Sequence, residues 1–572
     1  MKKKARPHPE SDRHVLPPEP RPNRARVVAF GILLSKVFGL VRERVIAQFF
    51  GVGPLTDVFR NAMRAPNVLQ NLLGEQTLSA AFIPIYSRLL AAGRRDDARR
   101  FAGAVLGLLL AAVSALVLVG VLLAPWIVSV LAAGFRGDAA LVAAGEMEVD
   151  RFPLTVRAVR IIFPMTGFLV LAAWALGVLN SHRRFLVPYM SPIVWNLAII
   201  AAVTSAAGSV GRLSSPPDAG LETVERWLFA AFFGALVGGI LQFAVQLPLV
   251  WKLTGGIRPS LSTRVAGVRD ALAAVGPAIA GRGVVQLSIY IDIFLANFLQ
   301  GGAPAALGFA AVLINLPASA FGISIAAAEL PELSRERDAS AQAGQRMAER
   351  IERALRQAAF VVCPSFVGYL CFGFLAAGLL FRGGAFSREA NWLVYAVLAG
   401  YTLGLVASTI SRLLQNAFFA LRDTRTPAKI AIVRLVVSAA VGAVLMFWFD
   451  RWPVAATLGF DPGPDGTGRL HFGALGLSLA SSLGAWCELA LLRRRLASKL
   501  PELRLPVRHI AGRTLLAAAA ALPALALWWL LASTGFVLQA VAVLGLFVAL
   551  YLGYAWWRRL PELDMWLGRV RR

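Results

Sequence analysis

Long apolar runs separated by short charged loops make up most of this chain. A helix rises 1.5 Å per residue and a bilayer core is about 30 Å thick, so one crossing needs about 20 apolar residues. By that measure about fourteen runs are long enough. They lie near 27–50, 56–90, 101–134, 154–180, 186–208, 227–253, 270–300, 303–333, 352–381, 390–421, 427–449, 472–498, 510–533 and 536–558. The alternating pattern of a membrane β-barrel is not what these runs show. They predict an all-α polytopic membrane protein of about fourteen transmembrane helices.

Two consecutive runs carry charge on single faces. The first holds Ser35, Lys36, Gly39, Arg42 and Glu43, spaced by three, four and seven residues along one side of a helix. The second, interrupted around Pro66 and Gly74, holds Asp57, Arg60, Asn61, Arg64, Asn67, Asn71 and Glu75. An ionisable group at the centre of a membrane helix costs about 2.5–3.5 kcal/mol on insertion scales. Such stripes are therefore expected to face water, and the two faces are expected to wall a polar cavity that receives an anion. Other readings stand beside this one. Lys36 and Arg42 can snorkel to the interface. Asp57 can cap the second helix, and Glu75 can satisfy backbone loosened at the break. Arg412 is expected to pair between helices, and Asn196 to hydrogen-bond between helices.

The loops orient the bundle. Those after even-numbered runs are basic, for example Arg94, Arg95, Arg99 and Arg100, then His182, Arg183 and Arg184, then Arg493, Arg494, Arg495 and Lys499. Those after odd-numbered runs are short, or mixed and acidic, as in Asp138 to Asp150. The positive-inside rule then places both termini in the cytoplasm, consistent with an even number of spans. Residues 1–25 are basic and proline-rich and are expected to form a disordered cytoplasmic tail. A weak repeat relates AAFIPIYSRL (80–89) to AAAELPELSR (326–335) and HRRFLVP (182–188) to LRDTRTP (421–427), each offset by about 240 residues. Parallel repeats imply two similar lobes. The expected division is 26–255 for an N-terminal lobe of six helices, 256–500 for a C-terminal lobe of six, and 501–572 for two further helices and a cytoplasmic end.

Composition narrows the function. The chain has 572 residues, of which 57% are hydrophobic and 16% charged, where a soluble protein carries about a quarter charged. The formal charge of +26 sits in loops, where it sets topology, so nucleic acid is not an expected partner. Cys363, Cys371 and Cys487 lie in apolar stretches without metal-ligand spacing. No phosphate-binding loop, HExxH motif or nucleophile triad is present, so no catalytic residue, metal or cofactor is expected. Transport would draw on an ion gradient, the membrane potential or consumption of product, and the sequence does not name a coupling ion.

SKVFGLVRE (35–43), FFGVGPLTDVF (49–59), RAPNVLQNLLGEQTLSAAFIPIY (64–86), GGILQFAVQLP (238–248), VGPAIAGRGVVQ (275–286), LFRGGAF (380–386) and RDTRTPAKIAIV (422–433) occur in order. With these the chain resembles the MurJ (MviN) lipid II flippases of the multidrug/oligosaccharidyl-lipid/polysaccharide exporter superfamily. The resemblance implies transport of an undecaprenyl-diphosphate-linked peptidoglycan precursor across the bacterial inner membrane. It also implies a basic central cavity for the diphosphate and an apolar groove, built with the last two helices, for the lipid tail. The family's Ser-Arg pair in the first span falls on Ser35 and Lys36, keeping the charge without the guanidinium fork. Its next arginine falls on Arg42, and its second-span acids fall on Asp57 and Glu75. A second-span arginine of the family falls on Gln70, and an eighth-span arginine and acid fall on Val312 and Asn315. Arg60, Arg64 and Arg282 add charge of their own. The expected diphosphate contacts are Lys36, Arg42, Arg60, Arg64 and Arg282. The expected cavity or coupling residues are Ser35, Asp57, Asn67, Gln70, Glu75 and Asn315. Expected partners are membrane lipid, lipid II or a related polyprenyl-diphosphate saccharide, and cell-wall synthesis proteins. Two alternatives follow from the substituted positions: a flippase for another polyprenyl-linked glycan, or a transport-inactive scaffold for envelope assembly.

Overall fold

The computed structural model describes residues 22–208, 220–328, 341–460 and 470–566, apart from 65, 68, 69, 71–73, 75–77, 79, 80 and 422. The described chain is helical almost throughout. In order the helices are α1 (Pro22–Phe50), α2 (Pro54–Ala62), α3 (Ile83–Ala91), α4 (Arg95–Leu122), α5 (Ala124–Leu131), α6 (Asp138–Ala143), α7 (Arg151–Ser181), α8 (Leu186–Ala206), α9 (Leu221–Ala244), α10 (Leu247–Thr254), α11 (Val268–Ala296) and α12 (Ala303–Ala328). They continue as α13 (Ala341–Phe381), α14 (Arg388–Leu403), α15 (Leu405–Ala420), α16 (Arg425–Phe449), α17 (Val454–Leu458), α18 (Gly473–Ala497), α19 (Val507–Leu530), α20 (Phe536–Trp557) and α21 (Pro561–Trp566).

Among the described residues, nine helices are long and apolar enough to cross a membrane, or eleven if two bent pairs each count as one. The chain is thus a multi-pass membrane protein, but the count of fourteen from the sequence is not reached. The tenth run is one bent pair, α14 and α15, turned by 45°. The third run, 101–134, does not stay straight: α4 stops at Leu122, and α5 leads into a helical segment turned by 102°. Proline at the second position of α5 suits this break, because a helix start has no partner for that N–H anyway. The first, seventh and eighth runs fall on α1, α11 and α12, and the second spans α2 and α3, with much of the chain between them outside the described residues. Proline also opens α1 at Pro22, inside the stretch expected to be disordered.

Local chemistry sets the helix ends. Asp150 caps α7 by accepting from the Phe152 N–H at 3.0 Å, and Ser387 caps α14 by accepting from Ala390 at 3.1 Å. Packing follows small residues, which let helix backbones approach where hydrocarbon gives no hydrophobic drive. Gly234 and Gly238 of α9 lie against Ala198 and Trp195 of α8, and Gly476 and Gly484 of α18 lie against Leu445 and Ser438 of α16. Helix α7 is central to the first half, touching α2, α4 and α9, and Trp174 within it is wholly buried. In the second half α18 contacts α14, α15 and α16, while α19 and α20 pack on α13.

Candidate functional site

Helices α2, α7 and α12 begin at the same end of the bundle, and their first turns share one buried cluster of charge. Arg151, the first residue of α7, donates from Nε and Nη2 to Asp138 at 2.6 and 3.0 Å and from Nη1 to Asp57 at 3.1 Å. Its guanidinium lies 4.1 Å from the ring centre of Phe135. Asp57 accepts in addition from the backbone N–H groups of Gly302 and Ala305, at 2.6 and 2.9 Å. All three charged side chains are at most 1% exposed. Two carboxylates against one guanidinium leave an excess negative charge. The first turn of α12 offsets it, since a helix N-terminus carries about half a positive charge and unpaired N–H donors. Gly302 makes this geometry accessible: its φ of +101° lies where a side chain is strained, and a Cβ there would also strike Leu470. Asp57 therefore does not cap its own helix, because α2 has no side-chain cap; it caps α12 from across the molecule.

Asn61 and Asn297 extend the cluster by one turn. They exchange amide hydrogen bonds of 2.8 and 3.0 Å, and Asn61 accepts from Arg64 Nη1 at 3.1 Å. Close by, Glu43 receives both Arg42 and Arg60 at 2.6 Å. Arg42 also lies over Trp195 of α8, and Arg60 over Phe309 of α12. Glu43 thus engages two of the five cations proposed from sequence as ligand contacts. Among the others, Lys36 stands exposed on α1 beside half-buried Ser35, and Arg64 is buried. Arg282 falls within α11, but its side chain lies outside the described residues, as does Glu75 altogether. Asn67 and Gln70, between α2 and α3, are half-buried.

A cavity of about 550 Å³ opens inside the second half, between α11, α12, α15, α16 and α18. It contains Asn315 from the proposed set, together with Asp292, Arg412, Gln415, Arg434 and Glu488. Glu488 accepts from Arg434 Nη1 and Gln415 Nε2, both at 2.7 Å. Asp292 accepts from Tyr401 at 3.3 Å and feels the charges of Arg434 and of Arg64, two residues beyond the end of α2. Arg412 does not form the interhelical pair expected from sequence; that pair is Arg434–Glu488, and Arg412 is exposed to the cavity. Asn196 likewise bonds within its own helix, to the Pro192 carbonyl at 2.9 Å, because a mid-helix amide reaches the carbonyl four residues back more readily than a neighbouring helix. Sequence reasoning passed over Arg151, Asp138, Arg434 and Glu488. The available signal was a charged residue at the start of, or within, an apolar run.

A second cavity, about 560 Å³ and almost wholly apolar, lies between α13 and α20, with Phe360, Pro364, Tyr369, Phe547 and Tyr551 among its walls. The groove was expected from the last two long helices; it is lined by α20 with α13, while α19 packs on both without lining it.

The family model described as lipid II flippase MurJ matches residues 46–547. The lipid II flippase MurJ of Burkholderia cenocepacia is 33% identical over 411 residues, covering 71% of this chain and 74% of that protein. The probable lipid II flippase MurJ of Vibrio cholerae is 28% identical over 471 residues, or 82% of each chain. Among solved structures, a lipid II flippase MurJ in an inward closed conformation superposes with a TM-score of 0.68 at 20% identity, over 94% of this chain and 99% of that one, which establishes the shared fold. The chain belongs to the lipid II flippase MurJ family.

Proposed function

We propose that this protein moves lipid II, a polyprenyl-diphosphate-linked precursor of peptidoglycan, from the cytoplasmic to the periplasmic leaflet of the bacterial inner membrane. The observation that carries this reading is a polar, arginine-bearing cavity walled by long apolar helices, with an apolar groove elsewhere in the same molecule. A diphosphate cannot shed its hydration shell into hydrocarbon, so a path across needs donors that replace water. Guanidinium groups do so with paired N–H donors. The lipid tail needs only an apolar surface, and the groove between α13 and α20 supplies one.

Movement is by alternating access of two lobes, 26–255 and 256–500, that rock against each other. Basic loops put both termini and the α7–α8 and α15–α16 turns in the cytoplasm. The Asp57–Arg151–Asp138 cluster then lies at the periplasmic end, where it joins α2 and α7 of one lobe to α12 of the other. In this arrangement the periplasmic side is shut, and transport requires Asp57 to release α12. Arg42 and Arg60, held by Glu43, brace the same interface.

The test is rescue of a bacterium depleted of its own flippase, with lipid II in each leaflet measured by extracellular labelling. Rescue with restored outer-leaflet lipid II is the expected result. Failure despite normal membrane levels, with another polyprenyl-diphosphate glycan bound in mass spectra, would instead favour the second reading, a flippase for that glycan. Gln70, Val312 and Asn315, which replace charged residues of the family, favour that alternative. A chain that neither rescues nor carries any such lipid is the scaffold.

A further inference from the structure

Five helices wall the cavity of the second half, and its two arginines and two carboxylates are not paired one to one: Asp292 bonds to Tyr401 and Glu488 to Arg434, which leaves Arg412 without a direct anion among the described residues. On α15 the residues Leu405, Ser408, Thr409, Arg412 and Gln415 follow at helical spacing and present one face to the space. On α18, Ser481, Ala485 and Glu488 do the same. Glu488 is 1% exposed, and both of its oxygens are taken, one by Arg434 and one by Gln415. Arg412 makes no hydrogen bond or ion pair with any described residue, although Arg434 and Glu488 are near enough to act on it through their charges. Around Arg412 this leaves two guanidinium groups and one carboxylate, Glu488, since Asp292, the cavity's other acid, bonds to Tyr401 and is felt by Arg434 and Arg64 rather than by Arg412. The Arg434 side chain is 33% exposed and commits Nη1 to Glu488, so its remaining donors are available to the cavity.

An arginine without an anion inside a membrane protein is costly unless it meets water or a counter-charge. Here the anion that Arg412 lacks has a definite chemistry. Two adjacent guanidinium forks suit a doubly charged tetrahedral oxyanion better than a single carboxylate, because each fork can engage two oxygens. Asn315 adds an amide whose Nδ2 uses one donor on the Ala311 carbonyl, at 2.7 Å, and keeps the other. The volume, about 550 Å³, has room for a diphosphate with water.

We propose that Arg412 is the receptor for a phosphate group in this cavity, with Arg434 as its second contact and Glu488 as the residue that holds Arg434 in position. If the bound phosphate is the diphosphate of the translocated lipid, the assignment rests on the flippase reading; free pyrophosphate would bind through the same atoms. Arg412 then does for the second half what the charged stripes of α1 and α2 were expected to do for the first.

The experiment uses the full-length protein in lipid nanodiscs. Binding of inorganic pyrophosphate and of undecaprenyl diphosphate is measured for wild type, Arg412→Gln and Arg412→Lys, with undecaprenol as the neutral control. Arg412→Gln is expected to weaken both phosphate ligands about tenfold or more, the scale of one lost charge-assisted contact, and Arg412→Lys to weaken them less. Undecaprenol binding should not change. Without ligand, the unfolding temperature of Arg412→Gln should not fall, since no partner is lost; a purely structural arginine would lower it. Wild-type affinity for pyrophosphate in Arg412→Gln, or no binding of either ligand to wild type, overturns the assignment. If undecaprenyl diphosphate binds equally well to wild type and Arg412→Gln, the site falls while the flippase reading stands. If pyrophosphate binding depends on Arg412 but the lipid diphosphate does not bind, the site stands with free phosphate as its ligand, and the flippase reading falls.

Discussion

One guanidinium, that of Arg151, ties a carboxylate on α6 to a carboxylate on α2, and through Asp57 to the first turn of α12. Replacing it with methionine would leave Asp57 and Asp138 buried without a counter-charge. The expected cost is about 3–5 kcal/mol, the range for breaking a buried pair from one side. Thermal unfolding in detergent should register this as a large drop for Arg151→Met and a smaller one for Asp138→Asn, which leaves the Arg151–Asp57 pair intact. Equal drops would mean that the contact with Asp138 carries the whole effect and the Arg151–Asp57 pair none. Glu43 invites a parallel measurement. Glu43→Gln should cost more stability than Arg42→Ala, because it strands two arginines where the other strands none: Arg60 still neutralises Glu43. At this scale the sequence was informative about Asp57, whose position at the head of a polar stripe marked it. It was silent on Arg151, because the partners lie 94 residues apart and only the packing of α2 on α7 brings them together.

The turns between helices carry their own chemistry. His182, at the C-cap of α7, is within hydrogen-bond distance of the Tyr86 hydroxyl at 3.0 Å. Burial, helped by the charge of Arg95, holds its imidazole below the ordinary value of 6.5. The unfolded chain therefore takes up a proton that the folded turn resists, so the contribution of His182 is complete above pH 6.5 and is lost as pH falls through its lower folded value. Hydrogen exchange at the amides of His182 and Arg184 should quicken between about pH 6.5 and 5 once corrected for intrinsic rates, and a His182→Gln variant should lose that dependence. Asp423 in the α15–α16 turn loses its contribution in the same direction but at lower pH. The Lys499 ammonium first, then Thr426, holds its carboxyl well below the usual 3.8. Protection there should stay flat from pH 8 to 5 and weaken only below about 4. The helices on either side of these turns were legible from the lengths of the apolar runs. The 45° bend between α14 and α15 was not, because the apolar pattern continues unbroken through Gly404.

Across the whole molecule, contacts between the two halves gather where Asp57 meets α12. The Ala385 N–H donates to the Gln48 carbonyl at 2.8 Å, and Arg44 donates to the Arg382 carbonyl at 2.7 Å. Gly51, with φ +60°, allows that approach, since a Cβ there would lie 2.2 Å from the Ala385 carbonyl oxygen. If opening of this end is an obligate step, a disulfide across it should stop transport. Gln48→Cys with Ala385→Cys, in a background where Cys363, Cys371 and Cys487 are replaced, is expected to lose rescue under oxidant and regain it with reductant. Continued rescue with the crosslink fully formed would rule out separation of the halves at this end.

Hydropathy and loop charge suffice to make this chain a multi-pass helical membrane protein, because every backbone polar group in a bilayer must be satisfied within the chain and helices do so locally. Its ordered motifs suffice to suggest the family. Which cations stay available to a ligand was decided by tertiary structure alone. Charge along a helix face shows that a partner is needed, and only packing says whether that partner is protein. Glu43 holds Arg42 and Arg60, Glu488 holds Arg434, and Arg412, read from sequence as a structural pair, faces the cavity with no anionic partner among the described residues.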